Sequence, residues 1–208
     1  DYQAGALSFE IFSNDKKLIS NSGYYPDTKN RLNKLSKSTA LQNTLSIEDY
    51  SSSDFFKSNN NFLIQKDLKI ENKNIVFEKN YWKISASHNG YFKKFKLYHH
   101  REIEFYPEQF KFIGHDKIVR KDPDKQIKFD IRFHLHPDSK VMKTQNSKFI
   151  LIQLEDEGWQ FSCDNYDINI DNGLYFGNKN SYQENQNIFI SGMNNKSEQI
   201  IRWEIIKI

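Results

Sequence analysis

Residues 127–138 read IKFDIRFHLHPD, and no other stretch limits the possible folds of this chain as sharply. Ile127, Phe129, Ile131, Phe133 and Leu135 fall on one side, while Lys128, Asp130, Arg132, His134 and His136 fall on the other. Strict alternation is the mark of a strand with one buried face. Pro137, which has no N–H to give to a ladder, closes it. One side therefore builds a core, and the other faces water or a partner. The plainer reading of that polar side is a solvated sheet surface.

Shorter runs of the same kind recur about every ten residues, the spacing expected of a sandwich or barrel. They centre on residues 75–77, 82–87, 95–99, 102–105, 110–113, 149–154, 159–163, 168–170, 188–190 and 200–206. At the start, Leu7, Phe9 and Ile11 share a face, and Asn14-Asp15 supplies a turn before Leu18 and Ile19, which predicts a hairpin. A strand resumes at 44–47. Only residues 27–37 permit a short helix, with Asp27 as its possible cap. Residues 51–61 read as a polar loop carrying Phe55 and Phe56, and 115–128 as a solvated loop of alternating bases and acids. The fold class is all-β: a large antiparallel sandwich of two or more packed sheets, with residues 1–208 forming one domain.

Composition then excludes several functions. Aromatic rings make up 15% of the 208 residues, enough to fill a core that is short of aliphatics. A net charge of +3 is too mild to require a polyanion, and the mixed signs of 115–128 argue against a nucleic-acid groove. Cys163 is the one cysteine, so disulfide frameworks and thiolate zinc clusters are ruled out. No apolar run approaches the roughly 18 residues that span a membrane. There is no nucleophile elbow and no glycine-rich phosphate loop.

Histidine is concentrated in three places. SHNGY (87–91) places His88 before Asn89-Gly90, a tight-turn signal that predicts a hairpin. In YHHRE (98–102) alternation sends His99 and His100 to opposite faces. FHLHP puts His134 and His136 on one face at a spacing that suits a metal, but two ligands do not make a site.

The succession ALSFEIF, LISNSG, STALQNT, SHNGY, HHREIE, IRFHLHPD, EDEGWQF and IIRWEI resembles the C-terminal β domain of the heparinase II/III-like polysaccharide lyases, over residues 2–206. That resemblance implies a two-part enzyme, with an N-terminal α/α toroid, expected to be absent from this chain, stacked on the β-sandwich. Such lyases cleave uronate-containing polysaccharides by β-elimination: the uronate carboxylate is neutralised, the C5 proton removed and the departing O4 protonated. The partners implied are an acidic polysaccharide and a toroid of the same or a separate chain, and the place implied is the cell envelope or periplasm.

The departures from the family pattern matter as much. Zinc-binding members carry HxHxDxLSFE, a turn aspartate and an HNT histidine. Aligned on Leu7-Ser8-Phe9-Glu10, the two histidine positions hold Asp1 and Gln3, and the first aspartate position holds Gly5. Asn21 replaces the turn aspartate and Gln42 the HNT histidine. Neutral amides do not replace imidazole and carboxylate on zinc, so no metal or other cofactor is expected there. If Gln3, Asn21 and Gln42 converge, they should form an amide hydrogen-bond cluster. The family's β-domain histidine is missing as well, so no catalytic residue is assigned within this chain. Arg101, Arg132, His134 and His136 are the candidates for a sugar-binding side, where charge-assisted contacts to carboxylate or sulfate would suit them. Two functions stay open: the cleft wall of a lyase, or a non-catalytic glycan-binding or scaffold module.

Overall fold

The computed structural model describes residues 3–58, 61–64, 67–145, 148–177 and 181–208. Two sheets face each other across one core. The smaller has four strands in the order β14 (Ile168–Tyr175), β15 (Gln183–Asn194), β10 (Ile127–His134) and β3 (Leu45–Ile47). The larger has eight: β11 (Lys140–Lys143), β12 (Phe149–Leu154), β13 (Glu157–Cys163), β16 (Glu198–Lys207), β9 (Lys111–Arg120), β8 (Leu97–Tyr106), β7 (Tyr81–His88) and β6 (Ile70–Glu78). Two hairpins, β1 (Ile11–Ser13) with β2 (Lys16–Ile19) and β4 (Phe55–Ser58) with β5 (Asn61–Ile64), stand apart. Every pairing between these strands is antiparallel, as expected.

The core side of strand β10 does what its alternation predicts, but its polar side is not simply solvated, since Asp130 and His134 are buried. Phe129, Ile131 and Phe133 are fully buried, and Phe133 meets Phe161 at 4.8 Å and Trp203 at 4.9 Å on the opposite sheet. Phe9 stacks on Trp203 from the N-terminal segment, centroids 5.5 Å apart. The indole lies flat over Gly114 of β9, where a Cβ would come within 2.0 Å of it. Any larger residue there would displace the ring that joins the two sheets.

Several local expectations give way to tertiary packing. Residues 6–12 are strand only from Ile11, because Leu7 adopts a positive φ of 58° and Ser8 N–H donates to Gly5 O (3.0 Å) in a turn. Asn89-Gly90 starts no two-residue hairpin. It leads through Tyr91 into a second short helix, α2 (Phe92–Phe95), after α1 (Arg31–Ser36). Asn30, not Asp27, caps α1, its Oδ1 accepting from Leu32 N–H at 3.0 Å. The runs at 95–99 and 102–105 belong to one strand, β8. Part of the expected 51–61 loop is β4, and β11 carried no sequence signal strong enough to be placed. Most consequentially, the first half of the supposed loop at 115–128 is β9, and its Asp116 is fully buried.

Candidate functional site

The N-terminal segment carries the positions that the resemblance aligns with metal ligands, and side-chain amides stitch it down. Gln3 Nε2 donates to Gly23 O (2.6 Å) and to Ser36 O (2.9 Å), and Gln42 Nε2 reaches the same Ser36 carbonyl at 3.4 Å. Asn21 does not join that pair. Its Oδ1 accepts from Asn43 N–H (2.9 Å), while Asn43 donates from Nδ2 to Phe9 O (2.9 Å) and accepts from His134 N–H (2.6 Å). Asp1 lies outside the described residues. At Gly5 a Cβ would stand 2.9 Å from Ser8 Oγ and 3.1 Å from Gln42 Oε1, so the glutamine side chain fills the room an aspartate would need. These residues do not fit zinc: the amide N–H groups of Gln3 and Gln42 point at one carbonyl, and an amide nitrogen has no lone pair to offer a metal.

Beneath this clasp lies a charged cluster on the inner face of the large sheet. Arg101 of β8 sits opposite Asp116 of β9 and grips it with two bonds, Nε to Oδ1 (2.7 Å) and Nη2 to Oδ2 (3.0 Å). Trp203 Nε1 donates to Oδ2 (2.8 Å), and His99 Nε2 reaches Oδ1 (2.6 Å). The tautomers follow from the partners. Gly90 N–H donates to His88 Nδ1 (3.1 Å), so His88 Nε2 carries the proton and donates to His99 Nδ1 (3.1 Å). His99 in turn donates from Nε2 to Asp116. Burial pushes the Asp116 carboxyl up, but the Arg101 guanidinium and the His99 hydrogen bond outweigh it and hold it well below the usual carboxylate range. Burial lowers both His88 and His99, which stay neutral. The remaining Arg101 nitrogen, Nη1, donates to Leu7 O (3.0 Å) and Asn43 O (2.5 Å), tying the amide clasp to the sheet.

The four proposed sugar contacts do not form one surface. Arg101 is 3% exposed and all its nitrogens are engaged within the core. His134 is 1% exposed although it lies on the polar side of β10, because residues 20–22 and 40–43 cover that end of the small sheet. Its Nε2–H donates to Ala40 O (2.9 Å), its Nδ1 accepts from Ser22 (3.2 Å), and burial lowers its pKa to about 4. Arg132 and His136 remain partly accessible. Arg132 bonds Asn187 Oδ1 (2.8 Å) and lies over Phe189, while His136 pairs with Asp138 (3.4 Å) beside Tyr175. Histidine spacing alone did not reveal the Asp116 cluster. A signal was nonetheless available: Phe112, Gly114, Asp116 and Ile118 alternate on one face, which puts the aspartate among core positions.

The sequence matches the family described as heparinase II/III-like, C-terminal, over residues 1–204. FtsZ-localized protein C of Caulobacter vibrioides is 25% identical over 219 residues, a match covering 98% of this chain and 37% of that protein. The crystal structure of a heparan sulfate lyase from Pedobacter heparinus superposes with a TM-score of 0.78 at 13% identity, over 99% of this chain and 30% of that one. A heparinase III gives a TM-score of 0.73 at 14% identity, with the same coverage of 99% and 30%. The chain thus spans about a third of the length of these relatives. The family match over nearly all of its length, with the fold in agreement, makes this chain a member of the heparinase II/III-like family, as its C-terminal β domain.

Proposed function

We propose that this chain is the cleft-wall domain of a heparinase II/III-like protein, in which an N-terminal domain supplies the β-elimination chemistry on a uronate-containing polysaccharide. The family match over residues 1–204 carries this reading. The domain itself contributes shape and polar contacts, with Arg132 and His136 as its accessible sugar-facing groups. In this reading it takes no zinc at the family's position and supplies no base there, since of the residues aligned with the ligands only Asp1 is ionisable and the others are glycine and amides. The cell envelope or periplasm is the compartment that goes with this reading, and fractionation of the full-length protein would test it.

One observation favours a second reading. Gln3 and Gln42 are bonded to backbone, and His88, His99 and His134 are enclosed and neutral, so these positions offer no exposed proton-transfer group. A non-catalytic glycan-binding or scaffold module would have this character, and the relative named for its localisation with FtsZ is in keeping with it. The two readings separate in one experiment: the full-length polypeptide is incubated with heparin, heparan, alginate and oligouronates while the absorbance of unsaturated uronate is followed. Activity on one polymer supports the lyase. Binding without absorbance change, measured by affinity electrophoresis, supports the module and overturns the lyase.

A further inference from the structure

The outer face of the large sheet carries a second group of titratable side chains. It lies on the side of β8 opposite Arg101 and His99. Glu102 and Glu104 are two residues apart on β8 and therefore point the same way. His115 of β9 sits directly across from Glu102 in the ladder. One ligand atom from each of the three lies within 4.8 Å of the others, and all three side chains are half-buried. Two ligands on one tetrahedral ion at about 2.0–2.2 Å stand about 3.3–3.6 Å apart, so the three atoms would have to draw together by up to about 1.5 Å. Closing the group around an ion therefore takes only small side-chain rotations.

The arrangement looks underused as it stands. His115 Nδ1 is shielded from solvent and makes no hydrogen bond among the described residues, and at 4.0 Å from Glu102 Oε1 it is too far away to form one. Two carboxylates side by side on a strand repel each other, and the nearest cation, Lys83, lies 3.4 Å from Glu102. Tyr106 Oη donates to Glu104 Oε2 at 2.7 Å, which fixes the orientation of one carboxylate and leaves its other oxygen available.

We propose that Glu102, Glu104 and His115 bind a divalent first-row transition ion. One imidazole nitrogen with two carboxylates suits a borderline ion such as zinc, cobalt or manganese better than calcium, which takes six or more oxygens. Three protein ligands leave a coordination position toward solvent, as in sites that take water or an anionic oxygen as the fourth ligand. This site is separate from the amide clasp and does not depend on the function proposed above.

Calorimetric titration of the purified chain with zinc, and the visible spectrum of the cobalt-loaded chain, test the proposal. One equivalent of zinc is expected, with cobalt bands of a nitrogen- and oxygen-ligated ion. His115→Ala and Glu104→Gln should each weaken binding at least about tenfold. Lys83→Met should strengthen it by removing the competing ammonium, a gain that misfolding cannot mimic. Glu184→Ala, on β15 of the small sheet, should leave zinc binding unchanged. Absence of stoichiometric binding to the wild-type chain, or unchanged affinity in both His115→Ala and Lys83→Met, would overturn the site.

Discussion

Two polar clusters hold the N-terminal segment to the sandwich, and they are built on opposite principles. The clasp of Gln3, Gln42, Asn21 and Asn43 is neutral and works through side-chain amide bonds to backbone groups. The Asp116 cluster is ionic and enclosed, and each of its members satisfies another: Arg101, His99 and Trp203 all converge on one carboxylate. A neutral hydrogen bond contributes about 0.5–1.5 kcal/mol net, and Gln42 and Asn43 are themselves buried, whereas a buried charge left without its partner costs several kcal/mol. Single changes should therefore cost less in the clasp than in the charged centre.

The sharpest way to break this contrast is Asp116→Ala, which strands the Arg101 guanidinium in the core. A loss of about 3–5 kcal/mol is expected in urea unfolding. Pairing it with Arg101→Met should recover much of that loss, and failure to recover would mean the cluster acts through packing alone. Gly114→Ala, which drives a methyl into the Trp203 ring, should cost about 1–3 kcal/mol and shift indole fluorescence.

Acid should separate the two clusters next. His134 has its pKa lowered to about 4 by burial, so it is neutral when folded and protonates more readily when unfolded. Its contribution is complete above about pH 6.5 and is lost as pH falls from there toward about 4, a span of about 3 kcal/mol. His88 and His99, lowered by the same cause, add to the loss in the same direction. Denaturation midpoints between pH 7 and 4 should therefore fall, and His134→Gln should flatten the slope. Gln42→Ala should give the smallest effect, about 0.5–1.5 kcal/mol with no pH dependence. Finally, Gln3→His with Asn21→Asp and Gln42→His should raise zinc affinity only modestly, because Asn21 contacts Asn43 and not the Gln3–Gln42 pair; a tight site would show that the loops rearrange freely.

The large sheet invites the same kind of comparison end to end. Around Trp203 its inner face is covered by the four-stranded sheet, but at the β6–β7 edge it extends past that cover, leaving Ile75 and Phe77 about three-quarters exposed. Periodicity marks both ends alike as apolar faces, since it reports which side of a strand a residue takes and says nothing about what lies over that side.

That distinction runs through the whole molecule. Alternation in the sequence was enough to establish an all-β sandwich, the core side of β10 and the split of His99 from His100. The order of short motifs was enough to indicate the family. Only the tertiary structure decided that His134 is enclosed, that Arg101 faces inward and that Asp116, expected in a solvated loop, anchors the core. The physical reason is that each of these depends on groups distant in sequence: Ala40 and Ser22 on His134, Leu7 and Asn43 on Arg101, Trp203 on Asp116. A strand specifies the direction of its side chains locally, but whether a polar one meets water or a partner is settled by the loops and strands that the topology brings over it.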